Sequence, residues 1–179
     1  MKHRPVALTG MKHTGKTTIA RLLAARLGVP SYDTDVLIAE LSGKTPRELA
    51  DEGGSELMHS WETRAIETLR DRLAGRQAVI ATGGGLADNA DGFAVLKKLA
   101  ACVYLDTDFD TLYDRIEASA QRDGRMPSFL RGPNPRADFR AIFDRRTKIY
   151  ATMCDIRVIA GGKGPAEIAS EISEYLRHG

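Results

Sequence analysis

At 179 residues the chain has the length of one compact domain, large enough to bury a core without disulfide or metal staples. Its 42% hydrophobic and 28% charged residues are ordinary for a soluble globular protein, and no stretch approaches the roughly 20 apolar residues that a membrane span requires. A net charge of +2 argues neither for nor against nucleic acid or membrane and leaves that decision to local clusters; no nucleic acid or membrane partner is expected.

The first segment, Pro5 to Thr9, is a short apolar run, and a glycine-rich turn follows it. The N-terminal Met-Lys-His-Arg-Pro leads straight into this run and not into a long apolar leader, so a cytoplasmic location is expected. From Lys16 to Leu27 the residues Ile19, Leu22, Leu23 and Leu27 recur at helical spacing, with Gly28 as the stop. Val29 to Tyr32 reads as a second strand, ending in Asp33-Thr34-Asp35. Thr45-Pro46-Arg47-Glu48 is a capping box with proline at the first helical position, opening a short helix that ends near Gly53-Gly54. A longer helix is expected from about Ser55 to Leu73.

Ala78 to Ala81 reads as a strand entering Thr82-Gly83-Gly84-Gly85, followed by a helix over Gly92 to Leu99 and an apolar strand from Ala101 to Leu105. Asp108 to Ala120 has a helical pattern. Gln121 to Arg136 holds three prolines, two glycines and four arginines without an apolar period, so it reads as a loop. A helix from Ala137 to Met153, a strand from Ile156 to Ile159 and a helix from Pro165 to Leu176 complete the chain. Strand–helix alternation of this kind predicts an α/β fold, a parallel sheet with helices on both faces. Cys102 and Cys154 lack metal-ligand or CxxC spacing and read as small buried residues in a reducing compartment.

Gly10-Met11-Lys12-His13-Thr14-Gly15-Lys16-Thr17 fits the phosphate-loop pattern G-x-x-x-x-G-K-[ST] at every fixed position, with a strand before it and a helix after. Its glycines allow backbone N–H groups to turn toward phosphate oxygens, and the helix adds its positive end. Lys16 is expected to neutralise the β- and γ-phosphates, and Thr17 to hold Mg2+ through its hydroxyl. With Thr18, these residues form the expected nucleotide site. The alternative, a chance glycine turn before a helix, does not account for the complete pattern in this context. The chain therefore reads as a kinase that transfers a phosphoryl group from ATP to a hydroxyl of a small molecule.

Other residues follow strand ends, where parallel sheets bind ligands. Asp33 and Asp35 point to one side if the segment is extended, so one carboxylate is free for the metal shell and the other for the attacking hydroxyl. The alternative is that one or both cap the next helix. Gly83, Gly84 and Gly85 allow close approach of a substrate to the backbone, or else form a plain flexible turn. Arg146 offers a two-pronged donor for an acceptor carboxylate; with Arg145 and Lys148 beside it, it also reads as part of a solvated basic face.

Taken together, the phosphate loop, Asp33-Thr34-Asp35, Thr82-Gly83-Gly84-Gly85, and Arg146 followed by Tyr150 and Asp155 resemble the shikimate kinases, small-molecule kinases of aromatic amino-acid biosynthesis. The resemblance spans nearly the whole chain. It implies a three-layer phosphate-loop fold with five parallel strands in the order 2-3-1-4-5. It divides one domain, 1–179, into a core, an acceptor-binding helical segment at about 36–62 and a lid loop at about 121–136. It also implies Mg2+ with ATP as co-substrate and transfer to shikimate to give shikimate 3-phosphate; a monomer is expected, although no residue pattern fixes the oligomeric state. Asp33 takes the metal side with Thr17, Asp35 the acceptor hydroxyl, Gly83 to Gly85 the acceptor site, and Arg146 its carboxylate. Among the loop arginines Arg122, Arg125, Arg131 and Arg136, the resemblance selects Arg125, which precedes a proline, to close over the phosphates.

The family carries Gly-Glu-x-x-Phe-Arg-x-x-Glu after the second strand, and its arginine also grips the acceptor. Here the segment reads Gly54-Ser55-Glu56-Leu57-Met58-His59-Ser60-Trp61-Glu62, with Met58 for the aromatic and His59 for the arginine. An imidazole lacks the two-pronged geometry, so His59 is either a substrate-facing residue of altered specificity or a helix histidine without a ligand. The departure keeps open another hydroxy acid, a sugar acid such as gluconate, or a hydroxyamino acid as acceptor. A non-catalytic nucleotide-binding module is a further alternative, against which the intact set of Lys16, Thr17 and Asp33 argues.

Overall fold

Residues 4–123 and 132–178 are described by the computed structural model. Five strands, β1 (Val6–Thr9), β2 (Ser31–Asp33), β3 (Val79–Ala81), β4 (Ala101–Asp106) and β5 (Ile156–Ile159), form a sheet in the order β2-β3-β1-β4-β5. All four pairings are parallel, as the sequence predicts. The helices are α1 (Lys16–Leu27), α2 (Thr34–Ser42), α3 (Pro46–Leu73), α4 (Ala90–Leu99), α5 (Phe109–Asp123), α6 (Pro135–Met153) and α7 (Pro165–His178). No helix among the described residues is long and apolar enough to cross a membrane.

Because side chains alternate along a strand, each central strand feeds two cores. Ala7, Ile80, Cys102 and Tyr104 meet Ile38, Ile66, Leu69, Phe93 and Tyr150 on one face. Val6, Leu8, Val79, Val103 and Leu105 meet Ile19, Leu23, Ile168 and Ile172 of α1 and α7 on the other. Strands buried on both sides read as unbroken apolar runs, the pattern found in the sequence. Burial pushes the Cys102 thiol up to about 12, in keeping with an inert core cysteine. Cys154 is only partly buried and lies 3.0 Å from the Thr9 hydroxyl.

Several boundaries differ from the sequence reading. Leu22 is exposed, and Ala20 and Ala24 take the buried face of α1 with Ile19 and Leu23. Small residues let the helix approach the sheet closely, and an apolar-spacing argument weighted toward leucine misses that. The break expected at Gly53-Gly54 is present: α3 consists of two helical stretches joined at a kink, where Gly54 leaves helical geometry (φ 68, ψ −159). The expected loop is shorter at both ends: α5 continues to Asp123, and α6 starts at Pro135. Asn134 caps α6 by accepting from Ala137 N at 3.3 Å, and Pro135 occupies the first turn, where its missing N–H costs nothing.

Candidate active site

The phosphate loop joins β1 to α1 at the carboxyl edge of the sheet. Gly10 has φ 136, and a Cβ there would lie 2.9 Å from Leu105 O, so both backbone conformation and space require glycine. Gly15, at φ 90, caps α1 in the left-handed region. His13 also has a positive φ, 66, an uncommon conformation for a residue with a side chain and a mark of local strain in the loop. Inside the loop, the Lys16 ammonium donates to Gly10 O at 2.8 Å and Met11 O at 2.7 Å. Burial lowers its pKa to about 8, against the opposing pull of Asp35 and Asp33.

Thr17 Oγ1 donates to Asp33 Oδ2 at 2.7 Å. The other oxygen, Asp33 Oδ1, accepts from Asp35 N at 2.9 Å and caps α2. Asp33 thus caps α2 with one carboxylate oxygen and meets the Thr17 hydroxyl with the other. Asp33 is the last residue of β2 and Asp35 lies in the first turn of α2, so the extended D-x-D segment expected from side-chain alternation is not what forms. The cap ends the strand, because its carboxylate satisfies a backbone donor at the start of the helix. Burial raises the pKa of Asp35, and the Asp33 charge adds to the shift.

The triple-glycine turn is pinned on several sides. Gly83 N donates to the buried Thr34 Oγ1 at 3.0 Å. The Tyr150 hydroxyl, fully buried on α6, donates to Gly84 O at 3.3 Å and accepts from Ala87 N at 3.3 Å. A Cβ on Gly83 would lie 2.8 Å from Glu62 Oε1 and 3.0 Å from Asp35 Oδ1. On Gly84 it would lie 2.5 Å from Lys12 N. These contacts exclude the plain flexible turn: the glycines are where three backbone and side-chain layers meet.

A cavity of about 420 Å³ opens beside this turn, lined by Asp35, Met58, His59, Glu62, Gly83 to Gly85 and Arg146, among others. A second cavity of about 250 Å³ adjoins it at the phosphate loop, where Gly15, Lys16, Thr17, Thr18 and Asp33 line it. Lys12, His13, Asp35 and Gly84 line both. The acceptor residues chosen from the sequence are therefore brought together, and Asp35 stands between them and the phosphate loop. Gly10, Met11 and Thr14 line neither cavity: all three are buried, and their carbonyl and hydroxyl oxygens hold Lys16 from within. Arg125 and Arg131 lie outside the described residues. Arg136 is engaged elsewhere, in an ion pair with Asp110 and over the ring of Tyr113 at 4.9 Å.

Arg146 is not a free prong on a solvated face. Its Nε and Nη2 donate to Asp88 Oδ2 at 3.0 and 2.7 Å, and Nη1 donates to Gly84 O at 3.2 Å. One N–H remains on each terminal nitrogen. Asp88 was missed in the sequence; it had no motif to mark it. Glu62 entered only as an alignment anchor, yet it is 3% exposed, and burial lifts its carboxyl to about 7. Arg47 and Asp51 also line the cavity and carried no sequence signal beyond a helix start.

Thr17 and Asp33 offer adjacent oxygen donors next to the phosphate loop, a set that suits Mg2+ completed by phosphate oxygens and water. No group of three or more histidine, cysteine, aspartate or glutamate side chains able to hold a metal by itself occurs among the described residues.

The family model for shikimate kinase matches residues 12–177. The chain belongs to the shikimate kinase family. The shikimate kinase of Symbiobacterium thermophilum is 34% identical over 172 residues, covering 96% of this chain and 95% of the relative. That of Thermobifida fusca is 34% identical over 177 residues, covering 98% and 97%. Among solved structures, shikimate kinase from Acinetobacter baumannii in complex with shikimate aligns with a TM-score of 0.85 at 26% identity, over 98% of this chain and 93% of that one. A gluconokinase from Sinorhizobium meliloti shares the fold, with a TM-score of 0.59 at 16% identity. As in other shikimate kinases, the activity is ATP-dependent phosphoryl transfer.

Proposed function

We propose that this shikimate kinase transfers the terminal phosphoryl group of ATP to a hydroxyl of shikimate, giving shikimate 3-phosphate, with Mg2+ held by Thr17 and Asp33. The observation that carries this reading is the junction of two cavities at Asp35, one lined by the phosphate loop and the other by the triple glycine and Arg146. The raised pKa of Asp35 makes its carboxylate a better proton acceptor for the attacking hydroxyl. Lys16 balances phosphate charge, and Arg146 uses its remaining N–H groups to hold the acceptor carboxylate. Bound Mg2+ neutralises charge on the phosphates and orients them. Arg125, outside the described residues, is proposed to close over the phosphates. Catalysis comes mainly from positioning and charge placement.

His59 in place of the family's arginine, and the engagement of Arg146 by Asp88, favour a second reading in which the same chemistry acts on another hydroxy acid. An ADP-release assay coupled to product identification separates the two. Saturable turnover of shikimate supports the first. Turnover of gluconate or a hydroxyamino acid without turnover of shikimate rejects it. We also propose a cytoplasmic monomer, which light scattering on the purified chain tests.

A further inference from the structure

A phosphoryl group that leaves the nucleotide and reaches the acceptor crosses from one cavity into the other, past Lys12, His13, Asp35 and Gly84. The basic groups around this path divide unequally. Lys16 lines only the phosphate side, and Arg146 and Arg47 line only the acceptor side, whereas Lys12 lines both. Lys16 is held by Gly10 O and Met11 O, and Arg146 by Asp88. The Lys12 ammonium donates no hydrogen bond to a described residue.

The Lys12 backbone is fixed even though its side chain is exposed. A Cβ on Gly84 would lie 2.5 Å from Lys12 N and 2.9 Å from Lys12 Cα, so the phosphate loop and the triple-glycine turn interlock at this residue. The Lys12 charge acts on groups of both cavities, lowering the pKa of Lys16 on one side and of Asp35 at the junction.

Resting on the kinase reading above, we propose that Lys12 is a catalytic residue whose ammonium contacts the oxygens of the phosphoryl group during transfer. The acceptor oxygen forms the new bond to the γ-phosphorus, and the bond from that phosphorus to the bridging oxygen breaks with its electron pair leaving on ADP. The hydroxyl proton passes to Asp35. Lys12 exchanges no atom; it supplies charge where negative charge spreads over the transferred oxygens. The phosphate-loop pattern leaves this position unspecified, so the role is particular to this chain's choice of lysine.

Steady-state kinetics of Lys12→Ala and Lys12→Arg, with ATP, Mg2+ and shikimate, test the role. Lys12→Ala is expected to lower kcat about 100-fold, the scale of losing one donor to developing charge. The KM values of both substrates should stay within about threefold, and Lys12→Arg should recover most of the loss. A kcat for Lys12→Ala within about threefold of wild type overturns the proposal. Calorimetric affinity for Mg2+-ADP with aluminium fluoride, a mimic of the group in transfer, provides a readout that does not need the acceptor. Lys12→Ala should weaken binding of that complex about tenfold or more beyond any change in affinity for ADP alone. Equal affinity of variant and wild type for the fluoride complex overturns the proposal even where kcat falls. Failure of the wild-type protein to phosphorylate shikimate removes the assigned acceptor, and the fluoride comparison then decides the role of Lys12 by itself.

Discussion

Asn89 donates from Nδ2 to Glu62 Oε2 at 3.1 Å, and this hydrogen bond is the main local compensation for a carboxyl that is almost wholly removed from water. Burial outweighs it and lifts the Glu62 pKa from 4.5 to about 7. The folded protein therefore holds this proton where the unfolded chain has lost it. Stability is favoured below about pH 4.5 and falls as pH rises toward 7. The loss from this residue is on the order of 3 kcal/mol. Glu62→Gln should remove that slope: against wild type it should be close to neutral at pH 4.5 and clearly more stable at pH 8 in denaturant titrations. A wild-type-like pH dependence in the variant would contradict the burial argument.

Arg146→Lys keeps the charge but loses the fork that grips Asp88 and Gly84 O. A charge-assisted hydrogen bond is worth about 1.5–3 kcal/mol, so the KM for the acceptor should rise about 10- to 100-fold with the KM for ATP little changed. Equal increases in both constants would count against a carboxylate-holding role.

Asp35→Asn removes the proposed proton acceptor and keeps the shape of the side chain. Turnover should fall about 10²- to 10⁴-fold, with nucleotide binding retained in calorimetry. Lys16→Ala should abolish transfer and also weaken ADP binding, because its ammonium sits inside the phosphate loop, held by Gly10 O and Met11 O. Full nucleotide affinity in Lys16→Ala would remove it from the nucleotide site.

Gly84→Ala places a methyl group 2.5 Å from Lys12 N, where both partners are backbone and neither rotates away. The phosphate loop and the acceptor turn must separate, at a cost of about 1–3 kcal/mol in stability. Both KM values should rise together, in contrast to Arg146→Lys. A fully active Gly84→Ala variant would show that the interlock plays no part in catalysis.

Away from the site, Ala74 ends α3 at φ 47, a left-handed conformation that disfavours a β-carbon. Ala74→Gly should stabilise the fold by about 0.5–1 kcal/mol after the entropy of glycine is counted, raising Tm by a few degrees without altering turnover. A lower Tm would contradict the reading of that cap.

The parallel sheet and the phosphate loop were legible because each depends on a short local pattern, whereas the strand order and the gathering of Asp35, the triple glycine and Arg146 followed from the family resemblance. Apolar runs mark buried parallel strands, and G-x-x-x-x-G-K-[ST] fixes a backbone path. What escaped was set by contacts distant in sequence. Asp88 matters because Arg146, on another helix, folds onto it, and Glu62 because Gly83 lets it approach Asp35. The geometry of the two aspartates was misjudged because the Asp33 side chain starts a helix where alternation alone continues a strand. The start of α6 was legible after all: Asn134-Pro135 is a cap followed by a first-turn proline, a signal hidden within a proline-rich stretch.

The break at Gly54 divides the longest helix into parts with unequal attachment. Beyond it, Glu62, Ala65, Ile66, Leu69 and Leu73 are anchored in the interior, while before it Leu49 is the one buried side chain. Pro46, Arg47 and Asp51 on that lightly held arm line the cavity beside the triple-glycine turn. That lining is thus carried by a joint and not by the core, so rotation about Gly54 is the backbone change that would alter the width of the cavity without moving Asp35.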